Sequence, residues 1–213
     1  MSEQAVDAAI MRLPLPDRPL ILDTGCGTGE MLLRAVRLRP GARGLGVDID
    51  PDAIAEASRR AEDLPARFEV RDAQLVEGDF DAVLNVGSSH VHGGFPDALA
   101  VLRSLAPVVL YGEGFWNRPP SDAFLDALGG ATEDELPELD GLRQTAGATG
   151  FEILHEWLAS EADWARYEET LAANAERDRG ADSLAYARRI RERRALPGGT
   201  DTLGFGLFLL RRR

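Results

Sequence analysis

Apolar and polar positions recur along this 213-residue chain in a regular rhythm. Residues 2–12 predict a short amphipathic helix with Val6, Ile10 and Leu13 as its apolar positions. Pro14, Pro16 and Pro19 forbid regular helix and make a stiff connector. Leu20-Ile21-Leu22, between Pro19 and a glycine cluster, predicts a buried strand. Over 28–38, Met31, Leu32, Ala35, Val36 and Leu38 fall at helical spacing, and Pro40-Gly41 stops that helix. The unit then repeats. Strands are expected at 44–47, 67–71, 81–86 and 108–111. Helices are expected at 51–61, with Pro51 in the first turn, and at 95–105, carrying Leu99, Leu102 and Leu105. Strand–helix alternation predicts a parallel sheet with helices on both faces, and short apolar strands suit a sheet buried on both sides.

The rhythm changes after Tyr111. Pro119-Pro120 breaks the chain, and helical stretches follow near 121–128 and 138–149. A strand is expected at 151–158. Residues 161–195 are strongly charged and helical, broken near Gly180. Pro197-Gly198-Gly199 makes a turn, and 203–210 reads as a last apolar strand. No repeat and no dividing linker appears, so one domain over 1–213 is expected. Its parts are an N-terminal helix and connector at 1–19, a core sheet at 20–160 and 201–213, and a helical insert at 161–200 that could form a lid.

Composition narrows the class. Hydrophobic residues are 44% and charged residues 28%, which is globular rather than disordered. Cys26 is the only cysteine, so an internal disulfide is impossible. With three histidines (His90, His92 and His155) it cannot build a cysteine-rich zinc site, and no metal is expected. No apolar run approaches the roughly 20 residues that span a bilayer, and Met1 to Met11 does not resemble a secretory signal. A cytoplasmic monomer or homodimer is therefore expected. The net charge of −12 argues against nucleic acid or an anionic membrane as partner. All 24 basic residues are arginine, which excludes lysine Schiff-base or general-base chemistry.

The chemistry concentrates in Leu22-Asp23-Thr24-Gly25-Cys26-Gly27-Thr28-Gly29, where a strand turns into a helix. Alternate glycines permit positive φ and let a ligand approach the backbone. A dinucleotide fingerprint would need glycine at position 30, which is Glu30, an acid that would also oppose a pyrophosphate. Asp48 ends the second strand, where a carboxylate can accept from both hydroxyls of a ribose. Asp72 follows the third strand and could accept from an adenine amino group. Asn85-Val86-Gly87-Ser88 ends the fourth.

The D-x-G-x-G-x-G run after strand one, Asp48 after strand two, Asp72 after strand three and Phe80-Asp81-Ala82-Val83 opening strand four together resemble the class I S-adenosylmethionine-dependent methyltransferases, over about 20–115 and again at the closing strand. The resemblance implies an α/β, doubly wound, mostly parallel seven-stranded sheet of Rossmann-like type. Its last strand would be antiparallel, and where the family's basic fold joins the last two strands by a short hairpin, the helical insert at 161–200 intervenes here. It also implies S-adenosyl-L-methionine as cofactor. The methionine part would lie near Asp23, Gly25, Cys26, Gly27 and Gly29, the ribose on Asp48, and the adenine near Ile49 and Asp72-Ala73, with Asn85 and Val86 beside the cofactor. Residues 112–116 and 201–208 look like a bacterial subgroup of small-molecule enzymes. The Asn-Pro-Pro-Tyr pattern of amino-methylating enzymes is absent at 85–88, and the carboxylates of metal-dependent catechol enzymes do not match.

The acceptor is expected over the ends of strands four and five. Catalytic candidates are His90, a near-neutral base or a loop residue capping the next helix, and Glu113, a base, an amine contact or a solvated strand-end acid. Ser88, His92, Trp116, Trp164 and Tyr167 are substrate-binding candidates. Trp116 could equally be a core contact, and Trp164, Tyr167 and Leu171 could simply pack their helix. The implied activity is methyl transfer to an O, N or S atom of a small molecule. Alternatives are a non-catalytic binder of the cofactor or its product, or an NAD(P)-dependent oxidoreductase, which the glycine spacing disfavours. Methylation of RNA or protein is disfavoured by charge.

Overall fold

The computed structural model describes residues 1–178 and 180–213. The chain forms two compact units. The larger contains Glu3–Glu113, Arg143–Trp157 and Leu207–Arg213, and the smaller contains Met1–Ser2, Gly114–Leu142 and Leu158–Gly206.

Most of a seven-stranded sheet belongs to the larger unit. Its strands are β1 (Leu20–Thr24), β2 (Arg43–Asp48), β3 (Ala66–Val70), β4 (Ala82–Val86), β5 (Val108–Trp116), β6 (Phe151–Leu158) and β7 (Leu203–Arg212). Their order is β3-β2-β1-β4-β5-β7-β6, parallel from β3 to β5 and antiparallel at the β5-β7-β6 end. This is the doubly wound α/β fold that the alternation of elements predicts. Helices α1 (Glu3–Met11), α2 (Glu30–Leu38), α3 (Pro51–Arg60) and α4 (Asp97–Leu105) precede or connect these strands. The order runs outward from β1 in both directions. Right-handed crossovers therefore place α2 and α3 on one face and α4 on the other. A crevice opens where the direction reverses, at the carboxyl ends of β1 and β4.

Local chemistry sets the element ends. Asp50 caps α3, its Oδ1 accepting from the Asp52 N–H at 2.9 Å and the Ala53 N–H at 3.2 Å, with Pro51 in the first turn. α2 instead starts from Gly29 at φ 78°, without a side-chain cap. Leu32, Leu33, Ala35 and Val36 of α2 and Leu99, Leu102 and Leu105 of α4 are buried, as their spacing requires.

β5 is the main departure from expectation. It runs nine residues rather than four. Gly112 and Gly114 look like strand breakers in sequence, yet neither has positive φ, so both continue the strand. Short 3-10 turns at Ala73–Leu75, Ser89–His92 and Glu133–Glu135 have no periodicity and are invisible in the pattern.

The smaller unit contains α5 (Asp122–Ala127) and a helical pair, α7 (Glu161–Asp178) and α8 (Ala181–Ala195); α6 is Leu139–Ala148. Glu168 of α7 is 2% exposed and accepts from Arg193 and Arg194 of α8, the latter at 2.7 Å. Arg191 adds pairs to Glu169 and Glu176. The arginine run of α8 is thus largely taken up by acids of α7. Among the described residues no helix is long and apolar enough to cross a membrane.

Removing one partner of a buried ion pair leaves the other charge stranded. Glu168→Ala should therefore destabilise the protein by about 3–5 kcal/mol. Chemical denaturation measures this, and a change within experimental error would contradict it.

Candidate cofactor and acceptor site

The site begins with three glycines that need their left-handed φ for different reasons. Gly25, Gly27 and Gly29 have φ of 66°, 51° and 78°. A Cβ on Gly25 would lie 2.6 Å from the Ser88 Cβ, and one on Gly29 would lie 2.6 Å from the Phe68 ring. Those two glycines let neighbouring elements close in. A Cβ on Gly27 would meet nothing within 4 Å, so that peptide borders open space.

The end of β2 holds this loop. The Val47 carbonyl accepts from the N–H groups of Gly25 and Cys26, both at 3.0 Å. Asp48 Oδ2 accepts from the Gly27 N–H at 2.8 Å, and its Oδ1 from the Asp50 N–H at 3.0 Å. Each carboxylate oxygen keeps a further lone pair for a ligand.

Asp23 lies beneath the loop, 3% exposed, with Oδ2 lacking any hydrogen-bond partner. Burial pushes its carboxyl up to about 8. The Leu32 backbone N–H opposes that shift and the Asp48 charge adds to it. Burial also pushes the Cys26 thiol well up, with Asp23 and Asp48 contributing, so Cys26 is a neutral spacer rather than a nucleophile.

The β4 end is a buried polar knot. Asn85 is fully buried, and its Nδ2 donates to the Thr24 Oγ1 at 3.0 Å and the Ser88 carbonyl at 3.2 Å. The Ser88 hydroxyl donates to the Thr24 carbonyl at 2.8 Å. These bonds join β1 to β4, while Val86 is half-buried at the strand end. After β3, Asp72 Oδ1 accepts from the Gln74 N–H at 2.9 Å and opens a 3-10 turn.

A cavity opens at these strand ends. Of the residues singled out in sequence, it is lined by Gly25, Asp48, Ile49, Asp72, Ala73, Ser88 and His90. Gln74 and Val91 also line it and were missed, because both sit on 3-10 turns that leave no periodic signal. Ile49 is 72% exposed and lines this cavity.

The acceptor candidates separate. His90 is exposed and lines the cavity. His92 is 4% exposed, neither ring nitrogen has a hydrogen-bond partner, and burial lowers its pKa against the opposing Asp72 charge. Glu113 is buried rather than solvated, and the Tyr111 hydroxyl donates to its Oε2 at 2.7 Å. Burial and then the Glu113 charge raise the Tyr111 phenol, with a hydrogen bond from Ser89 opposing, so it stays a donor.

In the smaller unit, Trp116 is 3% exposed. Its Nε1–H donates to the Glu133 carbonyl at 2.7 Å, and its ring meets Phe124 edge-on at 6.2 Å. Trp164 stacks on Phe205 at 5.7 Å and lies 5.3 Å from Tyr167, which is half exposed. Among the described residues no group of three or more His, Cys, Asp or Glu could hold a metal ion.

Comparison with known proteins gives this geometry a family. A methyltransferase domain model matches residues 21–112. The chain is 31% identical over 208 residues to the uncharacterized protein YjhP of Escherichia coli, covering 89% of this chain and 83% of that one. It is 31% identical over 189 residues to the demethylmenaquinone methyltransferase of Thermus thermophilus, covering 73% and 82%. Among solved structures, it superposes with a TM-score of 0.86 on a SAM-dependent methyltransferase from Geobacter sulfurreducens in complex with S-adenosyl-L-homocysteine. That pair is 25% identical over 100% of this chain and 92% of the other. The chain belongs to the class I S-adenosylmethionine-dependent methyltransferases.

The buried Asp23 has a consequence for the ligand-free protein. In the unfolded chain a carboxyl releases its proton near pH 3.8, whereas in the fold it holds it up to about 8. Between those values the native state binds more protons, so Asp23 makes stability fall as pH rises, levelling off above about 8. Asp23→Asn removes that slope. Its thermal midpoint relative to the parent should rise between pH 5 and pH 8.5. A constant difference across that range would contradict the assignment.

Proposed function

We propose that this chain transfers a methyl group from S-adenosyl-L-methionine to an O, N or S atom of a small molecule. The observation that carries this is the cavity at the reversal point of the sheet. It combines two acid side chains, Asp48 and Asp72, with Arg71, the exposed Ile49 and the Gly25 backbone, and the Arg71 guanidinium donates to the Leu75 carbonyl. Those carboxylates can accept from the hydroxyl and amino donors of a nucleoside. Asp48 is assigned to the ribose hydroxyls, and Ile49 with Asp72 and Ala73 to the adenine. Asp23, Gly25, Cys26, Gly27 and Gly29 are assigned to the methionine end, and Asn85 and Val86 to the wall behind it. A charge-assisted hydrogen bond at Asp48 contributes roughly 1.5–3 kcal/mol.

The cofactor supplies an activated methyl group and leaves as S-adenosylhomocysteine. What the protein adds is alignment of the acceptor atom, which accounts for about 7–11 kcal/mol of barrier in well-oriented reactions. Ser88 is held by its bond to Thr24 and gives the cavity a rigid wall. His90 lines the same cavity and takes the acceptor's proton as the new bond to carbon forms. Glu113 holds the Tyr111 hydroxyl. Trp116, Trp164 and Tyr167 shape the acceptor's surroundings. His92 is buried within the same short turn that carries His90.

A small acceptor is favoured over nucleic acid by two facts. The net charge is −12, and the densest arginine run pairs with acids of its own helical hairpin. We place the protein in the cytoplasm, as a monomer or homodimer.

The test is incubation of the protein with methyl-labelled S-adenosylmethionine and a bacterial metabolite extract. Label should enter the small-molecule fraction with an equal yield of S-adenosylhomocysteine. Label found only in protein or RNA would overturn the acceptor class. With the labelled acceptor in hand, His90→Ala should lower turnover about 100-fold or more while cofactor affinity holds. Unchanged turnover would reduce His90 to a turn residue.

A further inference from the structure

β5 buries two polar side chains that do not line the cavity. Tyr111 is fully buried and Glu113 is 5% exposed. A buried hydroxyl or carboxylate costs stability unless its hydrogen bonds are made. The Tyr111 hydroxyl donates to Glu113 Oε2 at 2.7 Å. A carboxylate oxygen only accepts, so the one phenolic proton is committed to Glu113. The Tyr111 oxygen is left to accept, and its donor is the Ser89 hydroxyl. The hydrogen bonds therefore run in one direction, from Ser89 to Tyr111 to Glu113.

Ser89 opens the short turn Ser89–His92, which carries His90. The residue before it is pinned separately. The Ser88 hydroxyl donates to the Thr24 carbonyl at 2.8 Å, and the Ser88 carbonyl accepts from Asn85 Nδ2 at 3.2 Å. The turn closes on itself through the N–H groups of Val91, Gly93 and Gly94. These donate to the carbonyls of Ser88, His90 and Ser89. Two anchors thus meet at the start of the turn, one from β1 and β4 through Ser88 and one from β5 through Ser89. His90 is the next residue, exposed and lining the cavity.

We infer that Tyr111 and Ser89 are positioning residues for His90, with Glu113 fixing the direction of their bonds. The inference rests on the reading of His90 as the group that takes the acceptor's proton. Ser88 keeps its own bonds to β1 and β4, so cutting the β5 anchor shifts His90 and leaves the cofactor side of the cavity in place. Such a shift is felt in the rate, because a misplacement of about 1 Å can cost roughly 100-fold.

Two variants test this. Ser89→Ala leaves the Tyr111–Glu113 bond in place and cuts only the link to the turn, and Tyr111→Phe cuts the same link from the other side. Hydrogen exchange of the ligand-free protein needs neither cofactor nor acceptor. In both variants the amides of Val91, Gly93 and Gly94 should exchange about tenfold faster. The Gly87 amide, bonded to the Gly112 carbonyl of β5, should keep its rate. Calorimetry with S-adenosylhomocysteine should show affinity held within about twofold. Methyl label should enter the small-molecule fraction of the metabolite extract about tenfold more slowly. In the His90→Ala background, Ser89→Ala should cause no further loss, because Ser89 acts through His90. Unchanged exchange in the turn overturns the inference. So does weakened cofactor binding, an unchanged rate of transfer, or a loss that adds in full to that of His90→Ala. A parent that transfers no label, or transfers it as fast with His90→Ala, is a different result. It overturns the reading of the reaction or of His90, and exchange alone then decides whether β5 anchors the turn.

Discussion

The site depends on how one strand end holds one loop. Three glycines in left-handed conformation give the segment after β1 its shape, and glycine loses more freedom on ordering than any other residue. Something must hold that shape. Val47 and Asp48, consecutive residues at the end of β2, do so by accepting from the backbone of Gly25, Cys26 and Gly27. The loop in turn sets the start of α2 at Gly29. The position of the cavity beside Gly25 follows from the same bonds.

A second constraint is electrostatic. Asp23, Asp48, Asp50 and Asp72 gather near the ends of three adjacent strands. Unpaired, they would repel one another. Backbone N–H groups answer three of them: Gly27 and Asp50 for Asp48, Asp52 and Ala53 for Asp50, and Gln74 for Asp72. The fourth, Asp23, has one oxygen left over and stays protonated near neutral pH. The acidic balance of the chain is therefore partly a local property of a site shaped for a cationic ligand with hydroxyl and amino donors.

Much of this was legible in the residue pattern, and the illegible parts share a cause. Apolar runs such as Leu20-Ile21-Leu22 and 81–86 locate β1 and β4 because a strand buried on both faces needs them. Asp48 and Asp72 stand out as carboxylates at the ends of consecutive strands, and both also hold backbone N–H groups there. Tertiary partners are what local pattern cannot supply. Gly112 and Gly114 look like an ending, yet pairing carries β5 through them. Glu113 reads equally as a base, an amine contact or a solvated acid, and its hydrogen bond from Tyr111, two residues earlier, leaves no local signal. Trp116 reads equally as pocket wall or core contact until its Nε1–H meets the Glu133 carbonyl. The arginine run at 188–194 gives no sign in local pattern of its partners on α7, Glu168, Glu169 and Glu176.

The central claim is that Asp48 both holds the glycine loop and receives the ribose of the cofactor. Titration of S-adenosylhomocysteine against the parent and Asp48→Ala tests it most directly. The loss of a charge-assisted contact, roughly 1.5–3 kcal/mol, predicts binding weakened tenfold or more. Equal affinity in the two proteins would contradict the account.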